Sequence, residues 1–82
     1  MTWIVYILEC ADGSLYTGIT NDLERRMHAH VSGKGAKYTK HRGPFTVRYT
    51  ESLDSKGTAL QREAAIKALD RSAKMMLISA AL

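Results

Sequence analysis

Apolar and polar positions change period along this chain, from two to nearly four and back again. Trp3–Glu9 (WIVYILE) is rich in β-branched and aromatic residues and predicts a strand. Asp12-Gly13 follows as a hairpin signal, and Leu15–Ile19 is the returning strand, ended by Gly18. Thr20 then reads as a helix N-cap, with Asp22 in the first turn. Leu23, Met27 and Val31 recur every fourth residue, which predicts an apolar helix stripe ending near Ser32-Gly33. Gly33–Gly43 is a loop. Pro44 opens a third strand, Phe45–Thr50, with Phe45, Val47 and Tyr49 expected on one face. Asp54–Thr58 makes a turn, Thr58 and Gln61 fit a capping box, and a second helix runs to about Leu69. Asp70 or Ser72 caps a last short helix, Ala73–Ser79, whose Met75, Met76, Leu77 and Ile78 should lid the core. The order is β-β-α-β-α-α, an α+β domain over residues 1–82 with a small sheet flanked by helices.

Composition narrows the setting. With 82 residues there is room for one core and not two. An apolar share of 45% and a single proline argue for a folded chain. The uncharged N-terminal run, Met1–Leu8, is far short of the ~20 apolar residues that span a bilayer, and it has no signal-peptide features. One cysteine, Cys10, makes neither an internal disulfide nor a Cys-rich zinc site, so the expected compartment is the reducing cytoplasm. Charge is placed unevenly. Residues 25–50 hold Arg25, Arg26, Lys34, Lys37, Lys40, Arg42 and Arg48 and no acid, a window of +7 in a chain of +4. His28, His30 and His41 lie in it too. Such a stretch makes a positive face in any fold; it is either a solvated loop or a polyanion site, nucleic acid first among the candidates.

Helix geometry picks out the polar residues that turn inward. At about 100° per residue, Arg26 and His30 stack one turn apart beside the Leu23 stripe, and Arg25 faces away. An arginine on a core-facing flank requires an anion, either a carboxylate such as Glu63 or a substrate phosphate. On the second helix, with Leu60 and Ala64 taken as the packed stripe, Glu63 flanks it. There it either pairs with Lys67 or serves as a lone carboxylate for Mg²⁺. Tyr6 and Tyr16 are packing residues unless register unites them. A two-residue turn puts them on opposite faces. A three-residue turn with Gly13 left-handed pairs Leu8 with Tyr16 and makes Tyr6 and Tyr16 diagonal neighbours on one face; this register is the expected one.

The ordered set Ile4-Val5-Tyr6, Tyr16-Thr17-Gly18, Leu23, Arg26, His30 and Glu63 resembles the GIY-YIG nuclease domain. It looks most like the small stand-alone bacterial subgroup related to the N-terminal module of the excision-repair subunit UvrC. The segments YTGITNDLERR, GKGAKYTKHRG and REAAIK carry the likeness, which covers nearly the whole chain. The resemblance implies a three-stranded antiparallel sheet flanked by helices and an endonuclease cutting phosphodiester bonds, in repair or recombination. It implies Tyr6, Tyr16, Arg26 and His30 at the active centre, and Glu63 holding one Mg²⁺ or Mn²⁺. Lys34, Lys37, Lys40 and Arg42 would grip backbone, of DNA ahead of RNA. The chain departs from the pattern at Ile4, where the first motif has glycine, and at Ile19, where the repair nuclease has lysine; a second DNA-binding domain is not expected. Two other readings share the sequence: a nucleic-acid-binding module without catalysis, and a protein-interaction domain in which Arg26 and Glu63 pair. The five site residues are expected to converge on one concave patch, bordered by a basic loop expected to be the most mobile internal segment.

Overall fold

A computed structural model describes residues 2–81. Strand β1 spans Trp3–Glu9 and β2 spans Leu15–Thr20. Helix α1 covers Leu23–Val31, and a 3₁₀ turn follows at Lys37–Thr39. Strand β3 is Thr46–Leu53, α2 is Lys56–Lys67 and α3 is Arg71–Ala80. The strands form one antiparallel sheet in the order β2-β1-β3, so the expected α+β class and element order hold. Among the described residues no helix is long and apolar enough to cross a membrane.

The hairpin turn is the three-residue kind. Cys10 N–H donates to Ser14 O at 2.9 Å and Gly13 N–H to Cys10 O at 2.9 Å, with Gly13 at φ +84°. Leu8 therefore lies opposite Tyr16, as the expected register requires, and Tyr6 lies opposite Gly18. The β1–β3 register shifts between Ile7, opposite Tyr49, and Leu8, opposite Val47. Arg48 is thus an extra residue, a bulge that moves Val47 and Tyr49 to opposite faces. This corrects the expectation that Phe45, Val47 and Tyr49 share a face; Phe45 precedes the strand altogether.

One face of the sheet carries the apolar core. Val5 and Ile7 pack with Ala59 and Ile66 of α2 and Ile78 of α3, flanked by Trp3, Leu15, Ile19, Tyr49 and Leu53. Full burial of such an aliphatic side chain contributes about 1.5–3 kcal/mol. Met75 and Leu77 join this layer but Met76 is 71% exposed, so only part of the expected methionine lid is a lid.

Two helix stripes differ from their predicted positions. In α2 the buried residues are Ala59 and Ile66, with Leu60 exposed, so the packed stripe is turned about 100° from the expected one, and the helix also begins earlier. Ser55 is its N-cap, and Thr58, expected to be the cap, is the reciprocal partner three residues on. Glu63, about 40° round the helix from Ala59, then flanks the packed side. In α1, Asp22 rather than Thr20 is the N-cap, accepting from Arg25 N–H at 3.1 Å. Val31 is 72% exposed and the buried residue is His30. Thus α1 turns its Arg26–His30 seam, not its apolar stripe, to the second face of the sheet. Gly18 lies within β2 rather than ending it.

Candidate active site

The second face presents Tyr6 and Leu8 from β1 and Tyr16 and Gly18 from β2, since directly opposed residues share a face. Tyr6 is wholly buried, and its ring lies across Gly18. A Cβ on Gly18 would sit 2.6 Å from Tyr6 Oη and 3.1 Å from Tyr16 Cε2, so only glycine leaves room for the pair. The Tyr6 and Tyr16 ring centroids are 6.4 Å apart.

A hydrogen-bond chain runs from the sheet through α1 to the basic loop. Tyr6 Oη and His30 Nε2 are 2.8 Å apart, and His30 Nδ1 and Thr39 Oγ1 are 2.8 Å apart. Thr39 Oγ1 donates its one proton to Ala36 O at 2.9 Å, so toward His30 it accepts. His30 Nδ1 therefore carries the ring proton. Burial, aided by the Arg26 charge, holds the His30 pKa below its usual value and favours the neutral ring. It follows that Nε2 is bare and accepts from the Tyr6 hydroxyl. Gly35 makes this possible from the loop side, since a Cβ there would lie 2.5 Å from His30 Nδ1.

Arg26 completes the cluster. Its Nε donates a long 3.4 Å hydrogen bond to Tyr6 Oη. The Tyr6 hydroxyl first, and the Tyr16 hydroxyl after it, raise the arginine's pKa. For Tyr6 burial dominates and pushes the phenol up, opposed by the Arg26 hydrogen bond; the charges of Tyr16 and Glu63 push it further up. The Glu63 side chain is 18% exposed and its ion pair is with Lys67, at 3.4 Å, rather than with Arg26. Among the described residues no carboxylate forms an ion pair with Arg26, and no three His, Cys, Asp or Glu side chains form a metal cage. A mostly buried single carboxylate, paired only along its own helix, suits a hard divalent ion that keeps several waters and takes its other oxygens from a phosphate.

The basic loop is fastened in several places. Ala11 N–H donates to Arg42 O at 2.8 Å, Lys34 N–H donates to Ala29 O at 2.9 Å, and Thr39 is tied to His30. Lys34, Lys37 and Lys40 point to solvent. Arg42 does not: it meets Asp12 at 2.6 Å and covers the Tyr38 ring at 4.6 Å. Tyr38 in turn stacks on Tyr16, with centroids 5.8 Å apart and planes at 25°. Phe45 abuts His30 at 5.9 Å. Sequence reasoning missed Thr39, Tyr38, Gly35 and Phe45 as parts of this site. Each acts through a contact with a distant element, for which helical or strand periodicity carries no signal.

The GIY-YIG catalytic domain model matches residues 2–76. A UPF0213 protein of Halobacterium salinarum is 53% identical over 73 residues, 89% of this chain and 95% of that one. A UPF0213 protein of Oceanobacillus iheyensis is 55% identical over 74 residues, 90% of this chain and 86% of its own. The solution NMR structure of a UPF0213 protein from Bacillus halodurans is similar with TM-score 0.63 and 52% identity, covering 96% of this chain and 84% of that one. An NMR structure of a protein from E. faecalis gives TM-score 0.68 at 38% identity, covering 98% and 85%. Together with the paired tyrosines under an arginine, these likenesses make the chain a member of the GIY-YIG family, close to the UPF0213 proteins.

Proposed function

We propose that this protein is a metal-dependent endonuclease that hydrolyses phosphodiester bonds in DNA, acting in the cytoplasm in repair or recombination. The observation that carries the reading is Arg26 Nε on the Tyr6 hydroxyl at 3.4 Å, with Tyr16 beside Tyr6 and a proton acceptor at His30 Nε2. Tyr6 is wholly buried, so the half-buried Tyr16 is the phenol that meets the attacking water. At pH 7 only about one free tyrosine in a thousand is phenolate, a gap of roughly 4 kcal/mol. A concerted relay avoids that gap. Tyr16 takes the water's proton while giving its own to Tyr6, and Tyr6 gives its proton to His30 Nε2. The imidazolium so formed keeps its Nδ1–H on Thr39. Arg26 supplies positive charge where the phosphorane oxygens develop theirs. Glu63 would hold one Mg²⁺ or Mn²⁺, whose chemistry when bound is neutralisation of the departing oxygen. Lys34, Lys37 and Lys40 bind the backbone, and Arg42 shapes the loop that carries them.

The test is cleavage of labelled single-stranded, nicked and branched DNA, with and without Mg²⁺ or Mn²⁺. The parent should cut only with metal. Glu63→Gln and Tyr16→Phe should each lose at least about a hundredfold in rate, the scale of general-acid–base catalysis, while binding DNA nearly as well. If both variants cut as fast as the parent, the mechanism fails. If neither they nor the parent cut any substrate, the chain is a binding module that keeps the nuclease fold.

A further inference from the structure

Beside His30 lies a cavity of about 520 Å³, between the C-terminal turn of α1 and the loop. Its walls include His30, Thr39, Lys40, His41 and Phe45. The proton relay does not use this space. We propose that it receives one unpaired nucleobase of the substrate strand, next to the phosphate that is cut. The inference rests on the nuclease reading and adds the substrate class: DNA with an unpaired nucleotide at the cleavage point, such as a flap or a branch.

Several observations converge on a base. The volume lies in the range of small-molecule sites, and an aromatic ring beside a few polar groups is what such sites present. Phe45 offers a ring that is only half-buried, braced against His30 at 5.9 Å. Lys40, exposed at the rim, suits the nucleotide's own phosphate. His41, at the cavity wall, holds φ +65°, a conformation that residues other than glycine seldom adopt. Most telling is the shared wall. His30, whose ring takes the Tyr6 hydrogen bond, also lines the cavity, so a base seated there lies beside the residue that adjoins the tyrosines. A base inside a duplex reaches such a pocket only by unpairing and unstacking, whereas a flap base has nothing to give up. Stacking one base on an aromatic ring corresponds to roughly tenfold or more in affinity.

The experiment measures binding by fluorescence anisotropy with the full chain in EDTA, so that nothing is cut. The probes are a plain duplex, the same duplex with a single-stranded flap, and that flap with an abasic residue at the junction. The parent should bind the flap about tenfold tighter than the duplex, and the abasic residue should bring this ratio close to one. Phe45→Leu keeps the apolar contact with His30 but loses the ring face, and His41→Gly suits the left-handed backbone; both should also bring the flap-to-duplex ratio close to one. A parent ratio near one, or a ratio that survives the abasic substitution, overturns the pocket. Because these are metal-free binding measurements, that failure would leave the cleavage test of Tyr16 and Glu63 intact. A chain that never cuts yet shows an abasic-sensitive ratio would overturn the nuclease reading instead.

Discussion

The Tyr6 hydroxyl donates to His30 Nε2 over 2.8 Å, joining the central strand to a helix 24 residues further along the chain. The bond requires a neutral imidazole, and the environment favours one: burial, then the Arg26 charge, lowers the His30 pKa. An unfolded histidine titrates near pH 6.5. Between that pH and the lower folded value the unfolded chain binds the extra proton. Stability from this source is therefore complete above about pH 6.5 and falls as the solution is acidified. Thermal melts from pH 7.5 down to 5 should show Tm dropping more steeply for the parent than for His30→Gln, whose amide can offer one acceptor and one donor but does not titrate. Parallel slopes would mean that His30 is not the group responsible. Cleavage should fade over the same acidic limb.

Gly18 is expected to be intolerant of even one methyl. Ala at this position places carbon 2.6 Å from Tyr6 Oη in a site already filled by two rings. Overpacking of this kind typically costs about 1–3 kcal/mol. Urea denaturation should register that loss in Gly18→Ala, and the displaced Tyr6 hydroxyl should reduce cleavage further than the stability loss explains. A variant as stable and active as the parent would contradict the close approach.

Salt dependence should report the lysines and not Arg42. Three exposed lysines on phosphates give a log–log slope of binding against salt of roughly −2.7. Reversing Lys34, Lys37 and Lys40 to glutamate should flatten it. Arg42→Ala should leave the slope nearly unchanged, because Arg42 is already paired with Asp12 and laid over Tyr38. If Arg42→Ala flattens the slope as a lysine reversal does, the Asp12 pair opens on binding.

Thr17 faces the apolar layer, opposite Ile7, and its Oγ1 is buried with no hydrogen-bond partner among the described residues. A buried unsatisfied hydroxyl is unfavourable by about 1–3 kcal/mol. Thr17→Val keeps the shape and removes the polar atom, so it should raise the urea midpoint without altering cleavage, the site being on the other face. A lower midpoint would point to a partner for that hydroxyl.

The element order and hairpin register are legible because they depend on local chemistry: Gly13 permits one turn, and that turn fixes which residues oppose. The inward direction of Arg26 and His30 followed from helical spacing. The core stripes of both helices did not. Leu60 and Val31 are good apolar candidates by pattern, yet α1 docks by polar contacts and α2 packs through Ala59 and Ile66. The Arg48 bulge left no trace in a pattern of alternating residues. Thr39, Tyr38 and Phe45 could not be read at all, since their places depend on where the loop closes and not on their neighbours in sequence.

The way α1 is seated has a consequence for how this protein can change. Greasy contacts tolerate sliding and small rotations; a chain of hydrogen bonds near 2.8 Å does not. The depth and angle of α1 are thus set by the same atoms that would move the proton. Substitutions that erode the site should loosen the helix, and those that loosen the helix should erode the site. Selection for mere foldedness would then tend to preserve the tyrosine–histidine chain even in a copy that no longer cuts anything.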